Sequence, residues 1–133
     1  MAATFFCPFC GKQEPGDLPG CPFCGKSIRF WREHPYEERL LLTLRHPIIE
    51  HRMDAIRILG GKRYRRAVPV FARMIRTERD VYLLREIAIA LNRIDTPQSR
   101  LLIAELLNHP SPVVKSGLLQ PGDGGRQGDA SCP

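Results

Sequence analysis

The phrase CPFCGK occurs twice, at residues 7–12 and 21–26, and no other feature of the chain restricts its fold as tightly. Each copy separates two cysteines by two residues, Cys7 from Cys10 and Cys21 from Cys24. Both sulfurs of such a pair can leave one tight turn towards the same point, and two turns complete a tetrahedron of thiolates. Gly11 and Gly25 follow the second cysteine of each pair, where the turn needs a residue that tolerates φ > 0 so that backbone N–H groups can face the sulfurs. Pro8 and Pro22 stiffen each turn by fixing φ. The connection 12–20 holds Pro15, Gly16, Asp17, Pro19 and Gly20, which suits a hairpin-like return.

Close cysteine pairs in a reducing compartment are read as metal ligands before disulfides, and the fifth cysteine, Cys132, matches neither pair. Residues 1–28 resemble the short bacterial zinc-ribbon family, in which an aromatic residue precedes CPxCG and a second CxxCG follows. Phe6 stands in the expected place, whereas Gly20 replaces the aromatic before the second pair. The resemblance implies structural Zn2+ held by Cys7, Cys10, Cys21 and Cys24. Iron in a rubredoxin-like site is the rival, but that fold spaces its two turns farther apart and needs a larger aromatic core. Four thiolates fill the coordination sphere, which leaves no position for water or substrate and argues against metal catalysis.

From Pro35 onward the apolar pattern becomes helical. It predicts helices over 37–45, over 48–59 closed by Gly60-Gly61, over 64–76, over 81–93 behind an Asp80 cap, after Asp95-Thr96-Pro97, and over 113–119. The expected buried stripes are Ile49, Met53, Ile56 and Leu59; Tyr64, Val68, Phe71 and Ile75; Leu84, Ile87, Ala88 and Leu91; and Leu102, Ile103, Leu106 and Leu107. Phe30 and Trp31, between the two patterns, are expected to fill core against the first helix. Short connections make consecutive helices antiparallel neighbours.

The helices also repeat. HPIIEHR (46–52), RDVYLLR (79–85) and HPSPVVK (109–115) recur at intervals of 33 and 30 residues, and VFAR (70–73) aligns with LIAE (102–105). A helix pair returning every thirty-odd residues is the signature of a solenoid. HPIIEHRMDAIRILGG followed by RRAVPVFARMI resembles the HEAT-like repeats of phycobilisome lyases and bacterial adaptors, with His46, and later His109, where an Asp is usual. The fold class expected is mainly α: an N-terminal four-cysteine zinc ribbon followed by a short HEAT-like α-solenoid. The expected divisions are 1–30 for the ribbon, 31–45 for a junction and capping helix, 46–120 for two and a half repeats, and 121–133 for a disordered tail without large aliphatic residues.

Charge narrows the function classes. The chain carries a formal +6, and residues 45–79 hold ten Arg and Lys against three acids, so the remainder is close to neutral. Arg57, Lys62, Arg63, Arg65, Arg66, Arg73 and Arg76 are the candidate contacts for an anionic partner. No phosphate-binding glycine loop or nucleophile elbow is present, and His34, His46, His51 and His109 form no catalytic constellation in sequence. The reading is a non-catalytic adaptor that binds another protein, with nucleic-acid binding along the basic edge as the alternative. No apolar run is long enough for a membrane span and no signal peptide opens the chain, so the expected location is the cytoplasm. The last helix should want a cover, which makes a homo-oligomer or a docked partner expected there.

Overall fold

The computed structural model describes residues 5–14, 16 and 18–119. The chain divides into two compact units, Met1–Ala55 and Ile56–Pro133. The proposed tail 121–133, Cys132, and Pro15 and Asp17 of the connecting loop lie outside the described residues.

In the first unit, β1 (Phe5–Phe6) pairs antiparallel with β2 (Gln13–Glu14), in the register Phe5 to Glu14 and Phe6 to Gln13. The first CPFCGK forms the turn of this hairpin. The second is flanked by a single antiparallel bridge between Gly20 and Ser27. Ser27 then accepts the Phe30 N–H at 3.0 Å and starts α1 (Ile28–Arg32), a short helix that the periodicity did not predict. Five residues are too few to show a period, and α1 forms because Ser27 caps it while Ile28 is buried beside Cys7 and Cys21. Phe30 is a correction to the expected plug: it is 53% exposed and meets the His34 ring edge-on at 4.3 Å. Trp31 is half-buried, with the Arg39 guanidinium 5.2 Å from its ring. Arg39 belongs to α2 (Tyr36–Thr43), whose Pro35 is the N-cap and whose Leu40 is buried.

Helix α3 (Ile49–Gly61) runs through both glycines rather than stopping before them. The chain turns two residues later, where Arg63 takes the left-handed conformation at φ 53°. Gly60 is buried, and a Cβ added to it would lie 2.8 Å from both Cα and Cβ of Ala90. Its function is therefore close packing against α5 (Val81–Ile94), not helix termination. The next helix begins later than expected. Tyr64 precedes a 3₁₀ turn at Arg65–Ala67, and α4 (Val68–Thr77) follows with Pro69 in its first turn.

Helix α5 is the centre of the second unit. Leu83, Leu84, Ile87, Ala88, Ala90, Leu91 and Ile94 are all buried, which is more than one stripe and means contact on several sides. It packs against α4, α6 (Pro97–Leu107) and α7 (Pro112–Leu119). Asp80 caps α5 through the Tyr82 and Leu83 N–H groups at 2.9 and 3.0 Å. Thr96 and Ser99 cap α6 reciprocally: each side chain accepts the other's backbone N–H. In α6 the buried positions are Leu102 and Leu106, with Ser99, whereas Leu107 is 47% exposed and departs from the expected stripe. Helix α7 finds its cover on α5: Val114 is fully buried, and Gly117 comes so close that a Cβ there would stand 2.8 Å from the Arg85 carbonyl oxygen.

Candidate metal centre and basic edge

Both CPFCGK phrases fold into the same turn. The Cys7 N–H donates to the Lys12 carbonyl at 3.0 Å and the Gly11 N–H to the Cys7 carbonyl at 2.9 Å. In the second copy Cys21 bonds Lys26 at 3.0 Å and Gly25 bonds Cys21 at 3.0 Å. Gly11 and Gly25 adopt φ of 80° and 77°, the left-handed conformation that closes each turn at little steric cost without a Cβ. The closure aims backbone donors at sulfur. Cys7 Sγ accepts the Phe9 and Cys10 N–H groups at 3.3 and 3.5 Å, and Cys21 Sγ accepts those of Phe23 and Cys24, each at 3.4 Å.

The four sulfurs converge. Cys7 and Cys24 are 3.7 Å apart, Cys10 and Cys21 are 3.7 Å apart, and all four lie within 4.8 Å of one another. A tetrahedral ion with metal–sulfur bonds of about 2.3 Å sets its ligands about 3.8 Å apart, so this cluster can hold a metal ion. The repeated phrase does a second thing. Lys12, ending the first copy, lies over the Phe23 ring of the second at 5.2 Å, and Lys26, ending the second, lies over Phe9 of the first at 5.3 Å. The two copies thus clasp each other by exchanged cation–π contacts. Among the described residues, the core beneath them is Cys7, Cys21 and Ile28, edged by Phe9 and Cys10.

The thiols are not equivalent. Burial pushes Cys7 up and drives Cys21 up to about 12, with the hydrogen bond that the Cys21 thiol donates to the Glu14 carboxylate adding to the effect. The Lys26 backbone N–H holds Cys24, the exposed member, below the ordinary thiol range. Glu14 is a participant that sequence reasoning missed. It sits on β2, 6% exposed, and its Oε2 has no hydrogen-bond partner among the described residues. Nothing in the sequence marks it, because only the hairpin register turns its side chain inward.

Sequence reasoning found only part of what His46 does. Its position at the start of a repeat suggests a role in beginning the helix, and its Nδ1 does accept the Ile48 N–H at 3.1 Å, just as His109 Nδ1 accepts the Ser111 N–H at 3.0 Å. Histidine thereby reproduces the cap that Asp80 supplies to α5. His46 is only 3% exposed, however, and its ring lies against the first CPFCGK turn, where a Cβ on Gly11 would stand 3.0 Å from its Cε1 and 3.4 Å from its Nε2. Burial, then the neighbouring His51 and Arg52, hold its pKa below the ordinary imidazole value, which keeps the ring neutral.

The seven proposed anion contacts all lie in the second unit and are all exposed. Arg57 is on α3, Lys62, Arg63, Arg65 and Arg66 occupy the turn and the 3₁₀ segment before α4, and Arg73 and Arg76 are on α4. Arg57 pairs with Glu86 at 3.1 Å, and Lys62 and Arg66 also engage other groups of the protein. The edge is therefore partly committed to internal contacts.

No helix among the described residues is long and apolar enough to cross a membrane. Compared with known protein families, residues 37–120 match the model for HEAT repeats. No curated protein and no solved structure matches the chain significantly.

Proposed function

Because the chain belongs to the HEAT-repeat family, with repeats over residues 37–120, we propose that it is a non-catalytic adaptor that recognises another protein through its helical repeats and carries a structural zinc ribbon at its N-terminal end. The family match carries the reading: stacked helix pairs of this kind serve mainly as recognition surfaces. Exposed apolar side chains on the repeats, Tyr82 at 60% and Leu101 at 70%, are of the sort that interfaces use. Zinc is the ion of choice because four cysteine thiolates at tetrahedral spacing form the donor set of closed structural zinc sites. Such a site has no open coordination position, so the ion shapes the chain rather than acting on a substrate. On this reading the working protein belongs in a reducing compartment, the cytoplasm, where cysteine ligands stay free of disulfides.

The seven exposed cations favour a second reading, binding of nucleic acid along the basic edge. One experiment separates the two: affinity capture with the full chain, with and without nuclease, followed by mass spectrometry. The adaptor reading expects one defined protein that survives nuclease treatment and moderate salt. Loss of every captured protein on nuclease treatment, with a steep fall in retention as salt rises and abolition by the triple variant R63E/R65E/R66E, overturns it in favour of nucleic acid.

A further inference from the structure

Two histidines begin repeats in the same way, yet only one of them is buried against a metal turn. His109 caps α7 through Nδ1 and remains half-exposed. His46 makes the same cap at the start of α3, and its backbone N–H, its carbonyl and its Nδ1 all have partners. Its N–H donates to the Thr43 carbonyl at 2.9 Å, its carbonyl accepts from Arg52 Nη1 at 2.6 Å, and its Nδ1 accepts from Ile48. An imidazole whose Nδ1 accepts while neutral carries its hydrogen on Nε2. Nε2 faces the first turn, where a Cβ on Gly11 would lie 3.4 Å from it, and the acceptor that its hydrogen can take there is the Cys7 carbonyl. That carbonyl is the one that also takes the Gly11 N–H and closes the first turn.

The fit at Gly11 supports the contact independently. A Cβ there would fall 2.9 Å from Ile48 Cδ1 and 3.0 Å from His46 Cε1, so the turn lies flush on the His46–Ile48 segment. Gly11 is thus required twice, by its φ and by the histidine against it. In metal sites, groups that hydrogen-bond the ligand-bearing backbone fix the orientation of the ligands, and losing them typically lowers metal affinity about 10–100-fold.

We infer that His46 is a positioning residue for the metal centre: its Nε2–H holds the Cys7 carbonyl and so keeps the turn 7–11 in the shape that directs the Cys7 and Cys10 sulfurs at one ion. The inference rests on the reading of the four cysteines as a metal centre. It makes the first residue of the first repeat part of the metal site, thirty-nine residues from the ligand it steadies.

Two substitutions divide the histidine's tasks. His46→Asn retains an acceptor near the Nδ1 position, and with it the cap, but is too short to reach Cys7. His46→Gln places an amide N–H near the Nε2 position and gives up the cap. The full reduced chain is titrated with Co2+, read by its thiolate charge-transfer and d–d bands, and Zn2+ affinity is measured by competition with a chromophoric chelator. H46N is expected to weaken Zn2+ binding about 10–100-fold and to shift the Co2+ d–d bands. H46Q is expected to stay close to wild type in both, and H109N, which touches only the equivalent cap, to change neither. Backbone amide spectra of residues 81–119 show that the second unit remains folded in each variant. Wild-type affinity and bands in H46N, or equal losses in H46N and H46Q, overturn the inference while leaving the metal centre intact. A wild-type chain without thiolate charge-transfer bands overturns the metal reading itself, and the inference with it.

Discussion

Gly60 and Gly61 are adjacent, and the fold treats them oppositely. Gly60 abuts Ala90 at 2.8 Å, backbone included, whereas nothing lies within 4 Å of a Cβ at Gly61. Gly60→Ala gains about 1 kcal/mol of helix propensity but forces α3 and α5 apart, and overpacking of this kind costs about 1–3 kcal/mol. The expected result is a lower urea midpoint for G60A and an unchanged or higher one for G61A. If both substitutions stabilise, α3 and α5 are farther apart than described. The thiols yield a second prediction. With burial pushing Cys7 up and Cys21 up to about 12, both hold protons throughout the neutral range in the metal-free chain. Metal capture must displace those protons, so apparent affinity rises with pH and each ion bound releases protons to buffer. Chelator competition at about pH 6.5 and about pH 8 should show tighter binding at the higher pH, and calorimetry in buffers of different ionisation enthalpy should show the release. An affinity that does not change with pH would exclude thiolate ligation.

Among the elements, α5 bears most of the second unit. Its buried Ile87 and Leu91 are each worth about 1.5–3 kcal/mol in apolar transfer alone, and truncation adds the cost of a cavity. Leu91→Ala should therefore cost about 2–5 kcal/mol in chemical unfolding, far more than Leu101→Ala on the exposed side of α6. Similar losses for both would mean that α6 is covered in solution. Asp80→Ala removes the cap on Tyr82 and Leu83 and should cost about 1 kcal/mol, whereas Asp80→Asn should recover most of it. These elements were legible in advance because each advertises itself locally, by Asp80, by Thr96-Pro97, and by aliphatic residues at helical spacing. The failures were local ones too. Gly60-Gly61 is a stop signal in isolation, and α1 is too short to display a period.

At the scale of the whole molecule, the proposed ion and the helices have different parts to stabilise. Among the described residues the core around the four cysteines consists of Cys7, Cys21 and Ile28, little apolar surface for a fold, so on the proposed metal reading the ion supplies most of its stability. Chelation under reducing conditions should collapse the amide signals of residues 5–27 while far-UV helicity falls only slightly. Retention of the ribbon signals would show that the ion is dispensable. The amino-acid sequence by itself determined the doubled turn, its glycines at positive φ, the convergence of four cysteines and the helical-repeat character of 37–120, because each of these is written in spacings of a few residues. Only the tertiary structure decided that Gly60 and Gly117 mark close approaches to α5, that Glu14 turns in beside Cys21, and that His46 lies against the turn begun by Cys7. The reason is distance along the chain: periodicity and capping are settled within one or two turns, whereas these contacts join residues from seven to thirty-nine positions apart and exist only once the chain has folded.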